Sequence, residues 1–135
     1  MFNTERDFAK SFSAKLKKHG YNVTRLESHS TGNGIPDMFV QGHGKDIFLE
    51  LKNCPKVSVL NQYIKIPYRP GQVAWMYDYY LCHLKKKWCK TVIALCDGYL
   101  IINNVSSSLS GTMSMEAEYC KIVKDLDMEE LLSMD

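Results

Sequence analysis

A chain of 135 residues with a formal net charge of +2 has room for one hydrophobic core and not for two ordinary domains. Hydrophobic residues make up 45% of it and charged residues 24%, which excludes a disordered or fibrous protein. Its five cysteines lack zinc-ligand spacing, and no apolar run approaches the roughly 20 residues of a membrane-spanning helix. The opening residues are charged and do not predict a signal peptide. We expect one domain, residues 1–135, in a reducing intracellular compartment and without a membrane partner.

The first predicted element is an amphipathic helix. Thr4 is a typical N-cap residue, with Asp7 three positions later as in a capping box. Large apolar side chains then recur every fourth residue, at Phe8, Phe12 and Leu16. Gly20 predicts the end of the helix, and residues 21–26 form a short candidate strand.

A candidate β-hairpin follows a polar, glycine-rich loop at residues 28–36. Its strands cover residues 37–41 and 45–52. The glycines on either side of His43 predict a tight turn between these strands.

The register of this hairpin decides whether two carboxylates meet. With a two-residue loop, Gly42 pairs with Lys45, and stepping along the strands places Asp37 opposite Glu50. Directly opposed residues share a face and lie about 4.5–5.5 Å apart at Cβ, so two carboxylates there would repel each other. A divalent cation between them would turn that repulsion into binding, and Mg²⁺ commonly takes one or two carboxylates with water and phosphate. A slip of one residue would remove the match.

Three neighbouring residues extend this candidate metal site. Strand alternation places Lys52 on the same face as Glu50, where an ammonium can orient an attacking water or neutralise charge on a phosphate. The Leu51 carbonyl can supply a further hard ligand. Glu5 stands in the first turn of the first helix and is either a cap that interacts with the helix dipole or a metal- or water-binding carboxylate.

The second half of the chain predicts a helix and another hairpin. The helix begins around residues 69–72, and its apolar stripe is predicted to face the core: Val73, Met76, Tyr77, Tyr80, Leu81 and Leu84. The hairpin joins residues 91–96 and 99–103 over the Asp97-Gly98 turn. Residues 53–69 before the helix are irregular or weakly β.

Two elements are expected near the end of the chain. Residues 106–114 read as a loop, and Asp127 with Glu130 predicts a capped C-terminal helix. The order of elements predicts an α/β fold of α+β-like type, with a central mixed β-sheet flanked by helices.

These residues resemble the PD-(D/E)XK nuclease superfamily. Pro36-Asp37, twelve intervening residues and then Glu50-Leu51-Lys52 match its core pattern. Glu5, Arg25 and the loop at residues 28–34 resemble archaeal-type Holliday-junction resolvases. The run from Arg69 to Trp75 resembles the glutamine-bearing helix of VRR-NUC domains, although the 19 residues between Lys52 and Gln72 make a longer connection.

The resemblance implies a restriction-endonuclease-like core, a nuclease domain over residues 1–135, and hydrolysis of DNA with Mg²⁺, for which Mn²⁺ substitutes. Carried over by position, Asp37 and Glu50 hold the metal, Lys52 is catalytic, Glu5 is an accessory ligand and Gln72 lies near the scissile phosphate. Either of two loop serines, Ser28 or Ser30, corresponds to the resolvase serine. The resemblance also implies a homodimer, although no feature of the sequence shows one.

The expected function is metal-dependent cleavage of branched or otherwise structured DNA, without an organic cofactor. Basic side chains would hold the flanking phosphates: Arg6, Lys10, Arg25 and Arg69. The alternatives are a nicking, flap or restriction-like duplex nuclease, a non-catalytic DNA-binding module of the same fold, and an unrelated α/β binding protein. The small size suits a protein encoded by a phage in a bacterial host.

Overall fold

The computed structural model describes residues 1–26, 34–82, 89–103, 112–115 and 120–132. Within these ranges the helices are α1 (Glu5–Lys18), α2 (Gln72–Cys82) and α3 (Met128–Leu131). The strands are β1 (Asn22–Arg25), β2 (Met38–Gly42), β3 (Lys45–Cys54), β4 (Tyr63–Lys65), β5 (Cys89–Leu95), β6 (Tyr99–Ile102), β7 (Thr112–Ser114) and β8 (Cys120–Val123). None of the described helices has the length and apolar character that crossing a membrane requires.

Six strands form the main sheet in the order β1-β2-β3-β5-β6-β8, and β4 pairs with β7 in a separate two-stranded sheet. The β3–β5 pair is parallel and its neighbours are antiparallel. Parallel strands need a long crossover, and the segment between β3 and β5 contains β4 and α2. The predicted mixed sheet flanked by helices is confirmed.

Helix α1 begins at the predicted cap. The Asp7 amide donates a hydrogen bond to Thr4 Oγ1 at 3.0 Å, and the predicted apolar face is buried. Phe8 and Phe12 are each 1% exposed, and burying side chains of this size contributes about 1.5–3 kcal/mol apiece. Gly20 follows the helix with a φ of 87°, a left-handed conformation that suits glycine.

The β2–β3 hairpin has the predicted register. Gly42 pairs with Lys45, and the ladder continues to Met38 opposite Leu49. His43 and Gly44 occupy the turn with φ values of 52° and 75°, as a twisted two-residue hairpin loop requires. The next step along the ladder places Asp37 beside Glu50, which is the geometry that the candidate site needs.

Both faces of the main sheet are covered. One face packs against α1 and α3, where Leu49, Leu51 and Val92 join the phenylalanines of α1. The other face packs against α2 and the small sheet through Ile93 and Leu95. All seven residues of β5 are therefore buried, as expected for a strand in the middle of a covered sheet.

Two short elements, β7 and β8, depart from the sequence prediction, whereas β4 agrees with it. The predicted loop at residues 106–114 ends in β7, and β4 lies in the segment predicted to be irregular or weakly β. Strand β8 was not predicted, and it pairs with β6. Strands of three or four residues have little periodicity of their own and are stabilised by their partners and by packing.

The core face of α2 is also rotated from its predicted position. Met76 is buried, but Leu81 of the predicted stripe is 46% exposed, and Leu84 lies outside the described residues. Trp75 and Tyr79 stack on each other and pack against Phe48 of β3 instead. Because apolar residues surround most of this helix, its sequence does not define a single buried stripe.

Candidate active site

Asp37 stands just before β2 and is held by two backbone contacts. Its Oδ2 atom accepts a hydrogen bond from the Leu51 amide at 2.8 Å, and its carbonyl oxygen accepts one from the Leu26 amide at 2.7 Å. The side chain is therefore fixed against β3 while its backbone joins β1. The Oδ1 atom lies 3.9 Å from the nearer guanidinium nitrogen of Arg69.

Glu50 is fully buried on the face of β3 that α2 covers, with 0% of the residue exposed. Its Oε2 atom accepts a hydrogen bond from Gln72 Nε2 and lies 3.4 Å from Lys52 Nζ. Its Oε1 atom has no hydrogen-bond partner among the residues that the structure describes. A buried acceptor without a partner is costly, so this oxygen is a candidate ligand for a cation.

The environment of Glu50 favours its neutral form. Burial, followed by a hydrogen bond with Asp37 and the charge of that residue, raises the pKa of the carboxyl to about 9. The Lys52 ammonium opposes the rise without cancelling it. Without a cation, the adjoining carboxyls of Asp37 and Glu50 are therefore expected to keep one proton at neutral pH.

Lys52 is buried too, with only 2% of the residue exposed. Its ammonium lies 5.9 Å from the centroid of the Tyr68 ring, and the Tyr68 hydroxyl lies 2.8 Å from Thr91 Oγ1. Thr91 is the β5 residue opposite Glu50. The sequence does not indicate this group, since the β3–β5 pairing joins distant segments.

Gln72 begins α2 and connects that helix to the buried carboxylate. Its Oε1 atom accepts a hydrogen bond from the Arg69 amide at 2.7 Å, while its Nε2 atom donates to Glu50. The side chain thus caps its own turn and contacts the site, which are the two roles that its position near a helix start allows.

A close backbone contact brings the Asp37 segment to the start of α2. Gly34 has a φ of 73°, and a Cβ built there would lie 2.3 Å from the Gly71 carbonyl oxygen and 2.8 Å from the Gln72 nitrogen. Only glycine avoids both the strain and the clash. This contact explains why the segment from Gly34 to Asp37 and the turn before α2 share one site.

Glu5 lies at the entrance of the site. Partial burial raises the pKa of the Glu5 carboxyl. The charges of Lys52 and Arg69 lower this pKa and the charge of Asp37 raises it, so the carboxylate is close to all three. It does not complete a carboxylate cluster: across the described ranges no group of three or more His, Cys, Asp or Glu side chains is arranged to hold a metal ion.

A groove of about 680 Å³ opens beside Asp37. The four basic residues predicted to contact DNA all line it, together with the two carboxylates at its entrance. Its lining residues are Glu5, Arg6, Ala9, Lys10, Arg25, Leu26, Asp37 and Arg69. The predicted serines Ser28 and Ser30 lie outside the described residues.

The donor set beside the groove fits a hard divalent cation. Asp37 and Glu50 supply adjacent carboxylates, one with an oxygen that lacks a partner, and the Leu51 carbonyl belongs to the residue between Glu50 and Lys52. Mg²⁺ and Mn²⁺ accept oxygen ligands and fill their remaining positions with water and substrate phosphate. Two carboxylates match the number that Mg²⁺ commonly takes from a protein, and the role of Glu5 as an accessory ligand stays a prediction.

No protein-family model matches the chain, and no curated protein matches its sequence. A solved structure does match. Hjc from Archaeoglobus fulgidus, a Holliday junction resolvase of an archaeal hyperthermophile, superposes with a TM-score of 0.55 over 85% of this chain and 86% of its own, at 13% sequence identity. This chain therefore shares the fold of that resolvase, which is the fold that the resemblance predicted.

Proposed function

We propose that this protein is a divalent-metal-dependent DNA endonuclease that acts on branched or otherwise structured DNA. One observation carries the proposal: the partly exposed carboxylate of Asp37 lines a groove with four basic side chains, and the buried Glu50 and Lys52 lie beside it. Phosphodiester hydrolysis needs a site for the metal, a group near the attacking water, and cations for the phosphates on either side. The resolvase fold supports the same conclusion.

Asp37 and Glu50, with the Leu51 carbonyl, would hold the cation. When bound, a divalent cation lowers the pKa of a coordinated water and stabilises charge on the phosphate oxygens. The Lys52 ammonium, 3.4 Å from Glu50 Oε2, would orient the attacking water or offset charge on the phosphate. Gln72 holds Glu50 in place, and the Glu5 carboxylate would bind water at the groove entrance.

The groove would bind the DNA backbone on both sides of the scissile phosphate. Arg6 and Lys10 lie one helical turn apart on α1, while Arg25 and Arg69 come from β1 and the turn before α2. Each contact with a phosphate releases condensed counterions, so binding is expected to weaken steeply with salt. Contacts of this kind recognise the shape of the backbone rather than a base sequence.

The test is cleavage of end-labelled four-way junction, flap, linear duplex and single-stranded DNA with Mg²⁺, Mn²⁺ or EDTA. Wild type should cut with metal and not with EDTA, and both Glu50→Ala and Lys52→Ala should be inactive while they still bind DNA. Lys56→Ala is the matched control, because Lys56 is exposed and lies outside the groove. Cutting that survives in both site variants would refute the assignment of the active site.

The preferred substrate separates the remaining functions. Preference for the four-way junction supports a resolvase, whereas equal or better cutting of flap or linear DNA supports a nicking, flap or restriction-like duplex nuclease. Binding of DNA without any cutting, equal in wild type and both site variants, supports the non-catalytic module. An absence of both DNA binding and metal binding supports an unrelated binding protein.

Several finer predictions belong to the same proposal. Mg²⁺ is the expected metal, with Mn²⁺ as a substitute, and a single nuclease domain is expected over residues 1–135. A homodimer would use α2, where Leu81 is 46% exposed, or the segment at residues 63–68, where Tyr63 is 63% exposed. The five cysteines carry free thiols, which suits the expected intracellular compartment. The VRR-NUC likeness and the phage origin stay predictions.

A further inference from the structure

Tyr68 is the aromatic residue beside the candidate catalytic lysine. Its ring centroid lies 5.9 Å from Lys52 Nζ, and its hydroxyl lies 2.8 Å from Thr91 Oγ1. Because Thr91 is opposite Glu50 in the parallel β3–β5 pair, the ring is fastened to the strand next to the one that carries Glu50 and Lys52. The face of an aromatic ring attracts an ammonium within about 6 Å.

The ring matters because Lys52 is buried. An ammonium that is only 2% exposed has lost most of its water and needs other groups to stabilise it. It lies beside Glu50, with 3.4 Å between Lys52 Nζ and Glu50 Oε2. In the proposed function the Glu50 carboxylate also serves the metal, which weakens its attraction for the ammonium. The Tyr68 ring does not compete for metal and keeps its contact in either state.

We propose that Tyr68 is a positioning residue that holds the Lys52 ammonium through the face of its ring, with Thr91 fixing the ring. The catalytic consequence rests on the proposed function, whereas the contact itself does not. The ring face contacts the Lys52 ammonium, and the hydroxyl only anchors the ring to Thr91. A phenylalanine at this position should therefore preserve the arrangement, and a leucine of similar burial should lose it.

The contact can be measured on the metal-free protein without any DNA. An isotope-coded amine-acylating reagent at one fixed pH, read by mass spectrometry, gives the labelling rate of each lysine. Lys90 is the internal control, because it is also 2% exposed but its ammonium contacts the Leu131 carbonyl, which lies in the cluster on the other face of the sheet. Tyr68→Leu should label Lys52 roughly 10-fold faster than wild type and leave Lys90 unchanged, and Tyr68→Phe should match wild type.

Three labelling results would overturn the proposal. An unchanged Lys52 rate in Tyr68→Leu means that the ring does not hold the lysine. A parallel rise for Lys52 and Lys90 means that the ring only supports the fold. A Tyr68→Phe variant that behaves like Tyr68→Leu means that the hydroxyl, not the ring, is needed.

A spectroscopic measurement on wild type keeps the proposal testable if Tyr68→Leu does not fold. A ring face near the ammonium shifts the adjacent Lys52 methylene protons upfield in the NMR spectrum relative to those of the exposed Lys56. Equal chemical shifts for the two lysines would contradict the contact.

The consequence for catalysis is a separate measurement. Under single-turnover conditions with saturating DNA and Mn²⁺, Tyr68→Leu should cut roughly 10-fold more slowly with an unchanged Kd for DNA, and Tyr68→Phe should cut within about twofold of wild type. A weaker Kd with an unchanged rate would make Tyr68 a DNA contact and refute the positioning role. If wild type does not cut DNA, the proposed function fails, while labelling and NMR still decide the contact.

Discussion

Replacing the buried Glu50 by glutamine should stabilise the metal-free protein at neutral pH. Burial, together with the adjoining Asp37 carboxyl, raises the pKa of this carboxyl from 4.5 to about 9. At pH 7 the unfolded chain therefore carries an ionised Glu50, whereas the folded protein holds it protonated. Folding must take up a proton, so the free energy of unfolding falls as the pH rises from about 4.5 towards 9.

The size of the effect follows from that pKa. Each pH unit above the ordinary value of 4.5 costs about 1.4 kcal/mol until the folded-state pKa is reached, which amounts to about 3 kcal/mol at pH 7. The isosteric glutamine never ionises and avoids this cost. Its carbonyl can accept the hydrogen bond from Gln72, and its amide can donate towards the Asp37 carboxylate. The Tm should rise by on the order of 10 °C for a chain of this length.

The assay is thermal and urea unfolding of wild type and Glu50→Gln in EDTA at pH 5, 7 and 8. Asp46→Asn is the control, because it is the same kind of change on an exposed residue of β3. The gain of Glu50→Gln should shrink to under about 1 kcal/mol at pH 5, where the carboxyl in the unfolded chain is partly protonated. A variant that is less stable than wild type at pH 7, or a gain that does not depend on pH, would refute the reasoning.

Three other predictions concern the metal, the groove and the close backbone contact. Mn²⁺ at about 100 times its Kd should raise the free energy of unfolding of wild type by about 2.7 kcal/mol, and Asp37→Asn should remove this gain; a gain that persists would place the metal elsewhere. Arg25→Ala should lower the slope of log Kd for DNA against log salt by about 0.9, whereas Lys18→Ala, at the far end of α1, should not; equal effects would mean that DNA does not enter the groove. Gly34→Ala should cost clearly more stability in urea than Gly44→Ala, since both have positive φ, but a Cβ at Gly34 would lie 2.3 Å from a backbone oxygen while a Cβ at Gly44 meets nothing within 4 Å. Equal losses would show that strain alone matters.

The parts of the fold that the sequence predicts are those with local determinants. The Thr4 cap and the four-residue spacing of Phe8 and Phe12 define α1, and the turn at His43 fixes the register that brings Asp37 to Glu50. Because these signals lie within a few residues of the structure they determine, they can be read without knowing the rest of the fold.

The parts of the fold that the sequence does not predict depend on contacts between residues that are far apart in the chain. Glu50 and Lys52 alternate with leucines, a pattern that is also typical of a strand with one face in water, yet both are buried because α2 covers that face. Tyr68 meets Lys52 only because β5 pairs in parallel with β3 and brings Thr91 alongside. Strands β4 and β7 pair across a long separation, so neither is evident from its own residues.

The basic groove can be predicted from the sequence only in part. Its four basic residues were predicted from their charge and from a resemblance, and they come from α1, β1 and the turn before α2. Charge alone does not distinguish a binding surface from a solvated helix face, and the fold supplies that distinction by placing the four around one opening.

The most direct test of the active-site assignment is the single-turnover cleavage rate of one matched pair of variants, measured with Mn²⁺ on the DNA that wild type cuts best. Asp37→Asn and Asp46→Asn make the same change at the two ends of the β2–β3 hairpin. The account predicts that Asp37→Asn loses cleavage but still binds DNA, and that Asp46→Asn cuts at the wild-type rate. Wild-type cutting by Asp37→Asn would contradict the account.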